Sequence, residues 1–271
     1  MSDISEVDAA LHELLMKRAE LVARWRMGGR HAAFSPAEDA KGLRDLAARH
    51  QGAFPFPALA RIWREILSGP VPLDVHVLAP EESLEVMALA RAHFGSQASL
   101  TRAASAAIVL ERVRTSPGAI GLLPVPGGAT EKWWLKLLSE VAGAPRVVAR
   151  LPACELRSAD AGAARVLAVA AVAPEPSGED RTLLAVEADA GASTGTVEKA
   201  LSAGGHKVHL LDRAPDRAQA FFLFETEGFV SARDLPDRPA GRVHIVGAYP
   251  VPLVWPRGGG AGDVVTLRGA R

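Results

Sequence analysis

Ile4, Val7, Leu11, Leu14, Arg18, Leu21 and Trp25 follow one another at alternating steps of three and four residues. That spacing keeps one stripe of a long helix facing a partner helix, and it constrains the fold more than any other stretch of the chain. Every member of the stripe is apolar except Arg18. A guanidinium cannot shed its charge, and burying it is costly unless an anion meets it there. Arg18 therefore either snorkels to the edge of the helix pair or points into a pocket that binds an anion.

Punctuation divides the 271 residues into segments. Residues 1–69 read as helical. Gly28-Gly29 stops the first helix, Ser35-Pro36 with Glu38 and Asp39 opens a second running through Arg49, and Pro55-Phe56-Pro57 opens a third over Ala58 to Leu67. Residues 70–175 read as α/β: strands at Asp74–Leu78, Ala119–Leu123, Arg146–Leu151 and Arg165–Ala173, with helices at Glu81–Phe94, Ala103–Arg114 and Glu131–Val141. Such alternation predicts a mainly parallel sheet. Pro174-Glu175-Pro176-Ser177-Gly178 reads as a linker. Residues 176–256 then give a β-α-β-β order, with strands at Thr182–Glu187, Lys207–Leu211 and Phe221–Glu225 around a helix at Thr194–Ala203 and a further strand at His244–Gly247, as in a ferredoxin-like α+β sandwich. Residues 257–271 read as a glycine-rich, flexible tail.

Composition excludes several functions. The 31 basic and 31 acidic side chains cancel, and no basic patch is interleaved with aromatics, so nucleic acid is not an expected partner. No apolar run is long enough for a bilayer, so no membrane association is expected. Cys154 is the sole cysteine, which rules out a disulfide framework and fits a reducing, cytoplasmic setting; it reads as a small half-buried residue rather than a nucleophile. The eight histidines fall in no metal-ligand spacing, so neither metal nor cofactor is expected. Trp133-Trp134 is unusual in a chain with 5% aromatics: one ring suits the core and the other a partner surface.

Taken in order, these segments resemble the bifunctional P-protein of phenylalanine biosynthesis, with a helical chorismate mutase domain, a prephenate dehydratase domain and a regulatory ACT domain. Asp8, Leu14-Leu15 and Arg18 are similar to the opening mutase helix, Ser35-Pro36-Ala37-Glu38-Asp39 to the start of the second, and Ile62-Trp63-Arg64-Glu65-Ile66 to the third. Ala79-Pro80-Glu81-Glu82-Ser83 resembles the Gly-Pro-Glu-Gly-Thr loop of the dehydratases, and Gly121-Leu122-Leu123-Pro124-Val125 their Gly-Val-Val-Pro-Ile segment. Gly191-Ala192 and Asp212-Arg213-Ala214-Pro215 resemble the two effector motifs of the ACT domain, and Val246-Gly247-Ala248-Tyr249-Pro250 its closing Leu-Gly-Ser-Tyr-Pro.

The departures bear on activity. The resemblance implies catalysis by cations that clamp two carboxylates and stabilise the breaking ether bond. Arg18 is retained, but the expected lysine is Gly29 and the arginine that opens the second helix is Glu38. Arg26, Arg30, Lys41 and Arg64 are the candidate substitutes. The dehydratase part lacks its second lobe and so the cleft that would close on a substrate, and only Ser83 and Arg165 stand as remnants of its site. Gly191, Ala192, Asp212 and Arg213 are the candidate effector-binding residues. The favoured reading is a catalytically degenerate P-protein relative that binds a small carboxylate metabolite (chorismate, prephenate or phenylalanine). An active chorismate mutase with rearranged cations and a purely structural homodimer are the alternatives. A homodimer is expected, because the first helix needs a partner for its stripe.

Overall fold

The three-four stripe does form one long helix, and the chain leaves it uncovered. In the computed structural model α1 spans Ser2–Met27, with Ile4, Leu11, Leu14 and Leu21 each more than half exposed. The structure describes residues 2–27, 34–69, 73–79, 83–128, 130–139, 141–156, 164–216, 218–235, 241–255 and 265–266.

Two shorter helices follow. Pro36 sits in the first turn of α2 (Pro36–Arg49), where its fixed φ suits the helix start, and Glu38 and Asp39 meet the positive end of the helix dipole. Phe56 opens α3 (Phe56–Ser68). The apolar side of this pair does not close on itself. Leu43, Ala47, Phe56 and Ala60 pack against Leu253 and Trp255 near the other end of the described chain, with Phe56 stacked on Trp255 at 4.1 Å between ring centroids.

The middle of the chain supplies β1 (Asp74–Leu78), α4 (Leu84–Phe94), β2 (Ser99–Ala103), α5 (Ala106–Thr115), β3 (Ile120–Pro124), β4 (Arg146–Leu151), β5 (Cys154–Leu156) and β6 (Val166–Ala170). The last part supplies β7 (Asp180–Asp189), α6 (Thr194–Ala203), β8 (Val208–Pro215), β9 (Gln219–Glu227), β10 (Arg242–Pro250), β11 (Leu253–Trp255) and β12 (Val265–Thr266).

Nine of these strands form one sheet in the order β2-β1-β3-β6-β4-β10-β7-β9-β8. Strands of the segment expected as an α/β lobe and of the segment expected as a ferredoxin-like sandwich share one hydrogen-bonded sheet. The seam is the parallel pairing of β10 with β4 at Gly247 and Val147. A Cβ on Gly247 would lie 2.2 Å from the Val147 carbonyl oxygen, so only glycine lets the two backbones come this close. Beyond the seam β10-β7-β9-β8 are all antiparallel, with α6 the one α-helix described there.

The middle strands also depart from expectation. β1 pairs in parallel with β2 and β3, but β6 runs antiparallel between β3 and β4, so the sheet is mixed rather than mainly parallel. Ser99–Ala103 is a strand where a helix was expected to begin at Ala103. Ser105 caps α5 through the Ile108 amide, and the helix cannot start earlier. The helix expected over Glu131–Val141 is only a short 3-10 turn, Trp133–Leu137. Neighbouring residues of an α-helix point about 100° apart, yet Trp133 and Trp134 are both wholly buried, so this turn is enclosed by core rather than lying along one side of it. That also corrects the expectation that one indole faces a partner: Trp133 Nε1 donates to the Pro124 carbonyl (3.0 Å) and Trp134 Nε1 to Asp212 (2.9 Å).

A second, three-stranded sheet, β12-β11-β5, brings part of the expected tail back into the fold, since Val265–Thr266 pairs antiparallel with β11. The expected linker is likewise gripped. Arg44 of α2 donates to the Ser177 carbonyl (2.9 Å) and hydroxyl (3.3 Å), to the Glu179 carbonyl (2.9 Å) and to the Val251 carbonyl (3.5 Å).

Candidate functional site

The functional candidates of the helical segment meet around Arg64, on α3. Arg64 is 9% exposed, and its Nη1 donates to Asp39 of α2 at 2.9 Å. Burial pushes the Asp39 carboxyl up from its ordinary range, against the pull of Arg64 and, more weakly, Arg18. On one side of this pair lies a cavity of about 280 Å³ lined by Arg18, Val22, Phe34, Glu38, Asp39, Trp63, Arg64 and His93, among others.

Arg18 takes part of each course expected of it. Its guanidinium lies 5.7 Å over the Trp63 ring, and Nη1 donates to the Ile66 carbonyl at 3.3 Å. It lines the cavity, half-buried, without an ion pair among the described residues. The anion nearest to hand is Asp39, and Asp39 is already held by Arg64. Glu38 adds a second carboxylate to the same wall, tied at 2.8 Å to Lys41 on the exposed surface. Two arginines here face two carboxylates. A dianion entering this cavity meets one cation without an ion pair, Arg18, and two carboxylates.

The other proposed substitutes contribute less. Lys41 is exposed and engaged with Glu38. The Arg26 side chain and all of Arg30 lie outside the described residues.

Beside that cavity a second one, about 340 Å³, opens between the first turns of α3, α4 and the Pro152–Glu155 stretch that leads from β4 into β5. Arg64 and His93 line both cavities. Burial, with the Arg64 charge alongside, holds the His93 imidazole well below its ordinary pKa, so it is neutral. Arg165 lines the second cavity, paired in a fork with Glu155 (Nε to Oε1 3.2 Å, Nη2 to Oε2 3.1 Å). Burial raises the Cys154 thiol there to about 11, so it stays protonated, in keeping with an inert half-buried residue. Ser83, the other dehydratase remnant, is the N-cap residue of α4 and makes no side-chain cap bond; residues 80–82 lie outside the described residues.

The effector candidates carry other duties. Asp212 is buried and spends both oxygens, one on Lys132 Nζ (2.6 Å) and one on Trp134 Nε1 (2.9 Å). It fixes the 3-10 turn to β8 and offers no free carboxylate to a ligand. Arg213 is exposed and lies 5.2 Å over the Phe222 ring. Gly191 and Ala192 form the turn before α6, whose cap is Ser193 accepting from the Thr196 amide. Among the described residues no group of histidine, cysteine and carboxylates could hold a metal ion, and no helix is long and apolar enough to cross a membrane.

Asp39, Arg61, His93 and Glu155 complete these cavities, and only Asp39 carried a signal in the sequence, as an acid in the first turn of a helix. The others stand 32 and 62 positions apart along the chain, and only the packing of α3 on α4 and the turn after β4 brings them together.

No protein-family profile matches the chain, and no curated protein matches it. The solved structures it resembles include two prephenate dehydratases. The enzyme from Streptococcus mutans superposes with a TM-score of 0.45 at 17% identity, covering 68% of this chain and 100% of its own. The enzyme from Arthrobacter aurescens, solved in complex with L-Phe, gives 0.44 at 14% identity over 66% of this chain and 90% of its own. A quorum-quenching acylase gives 0.44 at 14% identity, over 65% and 94%. Likeness at this level says nothing of what this chain binds.

Proposed function

We propose that this chain is a catalytically degenerate relative of the chorismate mutase–prephenate dehydratase proteins that binds a small carboxylate metabolite in a regulatory role. The observation that carries this reading is the Arg64–Asp39 pair. A mutase must hold a dianion and stabilise an ether oxygen with cations left free to do so. Here Arg64 is spent on Asp39, Glu38 stands where a cation is needed, and Arg18 alone is left. The cavities beside Arg64 are the right size for a small metabolite rather than a large cofactor, near the lower end of the roughly 300–1,000 Å³ common for ligand sites.

The test uses the purified full chain. No loss of chorismate absorbance above the uncatalysed rate is expected, together with a rise in melting temperature on adding chorismate, prephenate or phenylalanine. A ligand at one hundred times its Kd contributes about 2.7 kcal/mol. Turnover that Arg18→Ala abolishes would instead establish the active mutase, with Arg18 as its catalytic group. The homodimer belongs to the same proposal, because the exposed stripe of α1 is supplied with a cover by the same helix of a second copy. A monomer by light scattering at micromolar concentration removes it.

A further inference from the structure

The cavity between α3, α4 and the turn after β4 has a charge balance unlike that of the Arg18 side. Three arginines line it, Arg61, Arg64 and Arg165, against one carboxylate, Glu155. Glu155 takes Arg165 in the two-point fork, and Asp39 of α2 takes Arg64. Of the three, Arg61 is the one without an ion pair among the described residues. It stands one helical turn from Arg64, on the exposed rim of the cavity. Below that rim the walls are apolar: Leu43, Pro57, Ala60, Leu89 and Pro152. His93 is neutral and Cys154 keeps its proton, so neither adds charge.

An apolar pocket with one uncompensated guanidinium at its mouth fits one kind of guest. A dianion would leave a charge unmatched, a cation would meet repulsion, and a neutral apolar molecule would leave Arg61 unused. A carboxylate matches the planar fork of Arg61, while an apolar body displaces water from the walls. We propose that this cavity is a binding site for a small monocarboxylate with an apolar body, its carboxylate held by Arg61 and its body seated on Leu43, Ala60, Leu89 and Pro152. The proposal deepens the metabolite-binding reading and rests on it for a biological role. It places the ligand in the cavity that Arg18 does not line.

The experiment is calorimetric titration of the full chain at neutral pH with 3-phenylpropanoate, and with its amide, which keeps shape and loses charge. Two variants on exposed positions, Arg61→Gln and Ala92→Trp, remove the cation and fill the mouth; their thermal melts check that both fold. The carboxylate is expected to bind at least tenfold more tightly than the amide, equivalent to about 1.4 kcal/mol. Arg61→Gln should erase that difference and Ala92→Trp should abolish binding of both. Equal affinity for carboxylate and amide, unchanged binding in both variants, or no binding to the wild type overturns the proposal. Phenylalanine, chorismate and prephenate run in parallel keep the two readings apart. If those three fail and 3-phenylpropanoate binds through Arg61, the site stands and its assignment to aromatic metabolism falls. If one of them binds and loses affinity on Arg18→Ala but not on Arg61→Gln, the metabolite reading stands and this site falls.

Discussion

Replacing Gly247 by alanine tests the joint that makes one sheet of two segments. The added Cβ would lie 2.2 Å from the Val147 oxygen, 2.5 Å from its nitrogen and 2.6 Å from its Cβ. Carbon and oxygen atoms that touch across strands ordinarily stay about 3.3–3.6 Å apart, so β10 and β4 must separate by about 1 Å. Both flanks of the seam, Val147 and Val246, are fully buried and have nowhere to move. Overpacking of this kind costs about 1–3 kcal/mol. The backbone adds to it, because Gly247 has φ +157°, at the edge of a region that side chains rarely occupy, which costs a further 1–3 kcal/mol or so. A loss of about 3 kcal/mol is expected, or roughly 6–12 °C in melting temperature for a chain near this size. The assay is thermal and urea unfolding followed by far-UV circular dichroism, with Gly191→Ala as control, since a Cβ there meets nothing within 4 Å. A Gly247→Ala protein within about 0.5 kcal/mol of wild type, no worse than the control, would refute the close approach and the single sheet with it.

Two further outcomes follow from half-buried polar groups. Arg44→Ala strips the donor from the carbonyls of Ser177, Glu179 and Val251. Hydrogen bonds to a charged group contribute about 1.5–3 kcal/mol, so the free energy of unfolding in urea should fall by a comparable amount and the midpoint with it, and an unmoved midpoint would mean that α2 is not fastened through this residue. His93 makes stability depend on pH. Its folded pKa lies well below the ordinary 6.5, so below that value the unfolded chain takes up a proton that the folded chain refuses. This contribution is present above about pH 6.5 and is lost as the pH falls toward the folded value, at no more than about 1.4 kcal/mol per pH unit. Asp39, raised by burial, acts with the opposite sign, its contribution declining as pH rises from the ordinary carboxylate range. The stability of wild type minus that of His93→Gln, measured between pH 5 and 7, isolates the histidine; a difference that does not change with pH would show that His93 protonates freely in the fold.

The helices and most strands were legible because each carries its own signals. Pro36 with Glu38 and Asp39 marked the start of α2, Pro55-Phe56-Pro57 marked α3, and the apolar runs at Asp74–Leu78 and Arg146–Leu151 marked β1 and β4 to the residue. Trp133-Trp134 misled because a helical reading gives neighbouring rings different faces, while the core here takes both. Of the site, Arg18 and Arg64 were legible as cations on helices that resemble a mutase. The carboxylate that Glu38 adds to the same cavity wall was legible. The capture of Arg64 by Asp39 was not, since 25 residues separate the two.

Local chemistry thus determined the elements: where each helix starts, which residues carry charge, and that α1 presents an apolar stripe with an arginine in it. Pairing across the chain was decided only by the tertiary structure. The β10–β4 seam depends on a glycine whose missing side chain lets backbones 100 residues apart touch. Which arginines stay without an ion pair depends on which carboxylate each one reaches. Arg18, Arg61, Arg64 and Arg165 are equivalent charges in the sequence. The fold gives Asp39 to Arg64 and Glu155 to Arg165, and leaves Arg18 and Arg61 without an ion pair among the described residues, Arg61 at the mouth of an apolar cavity.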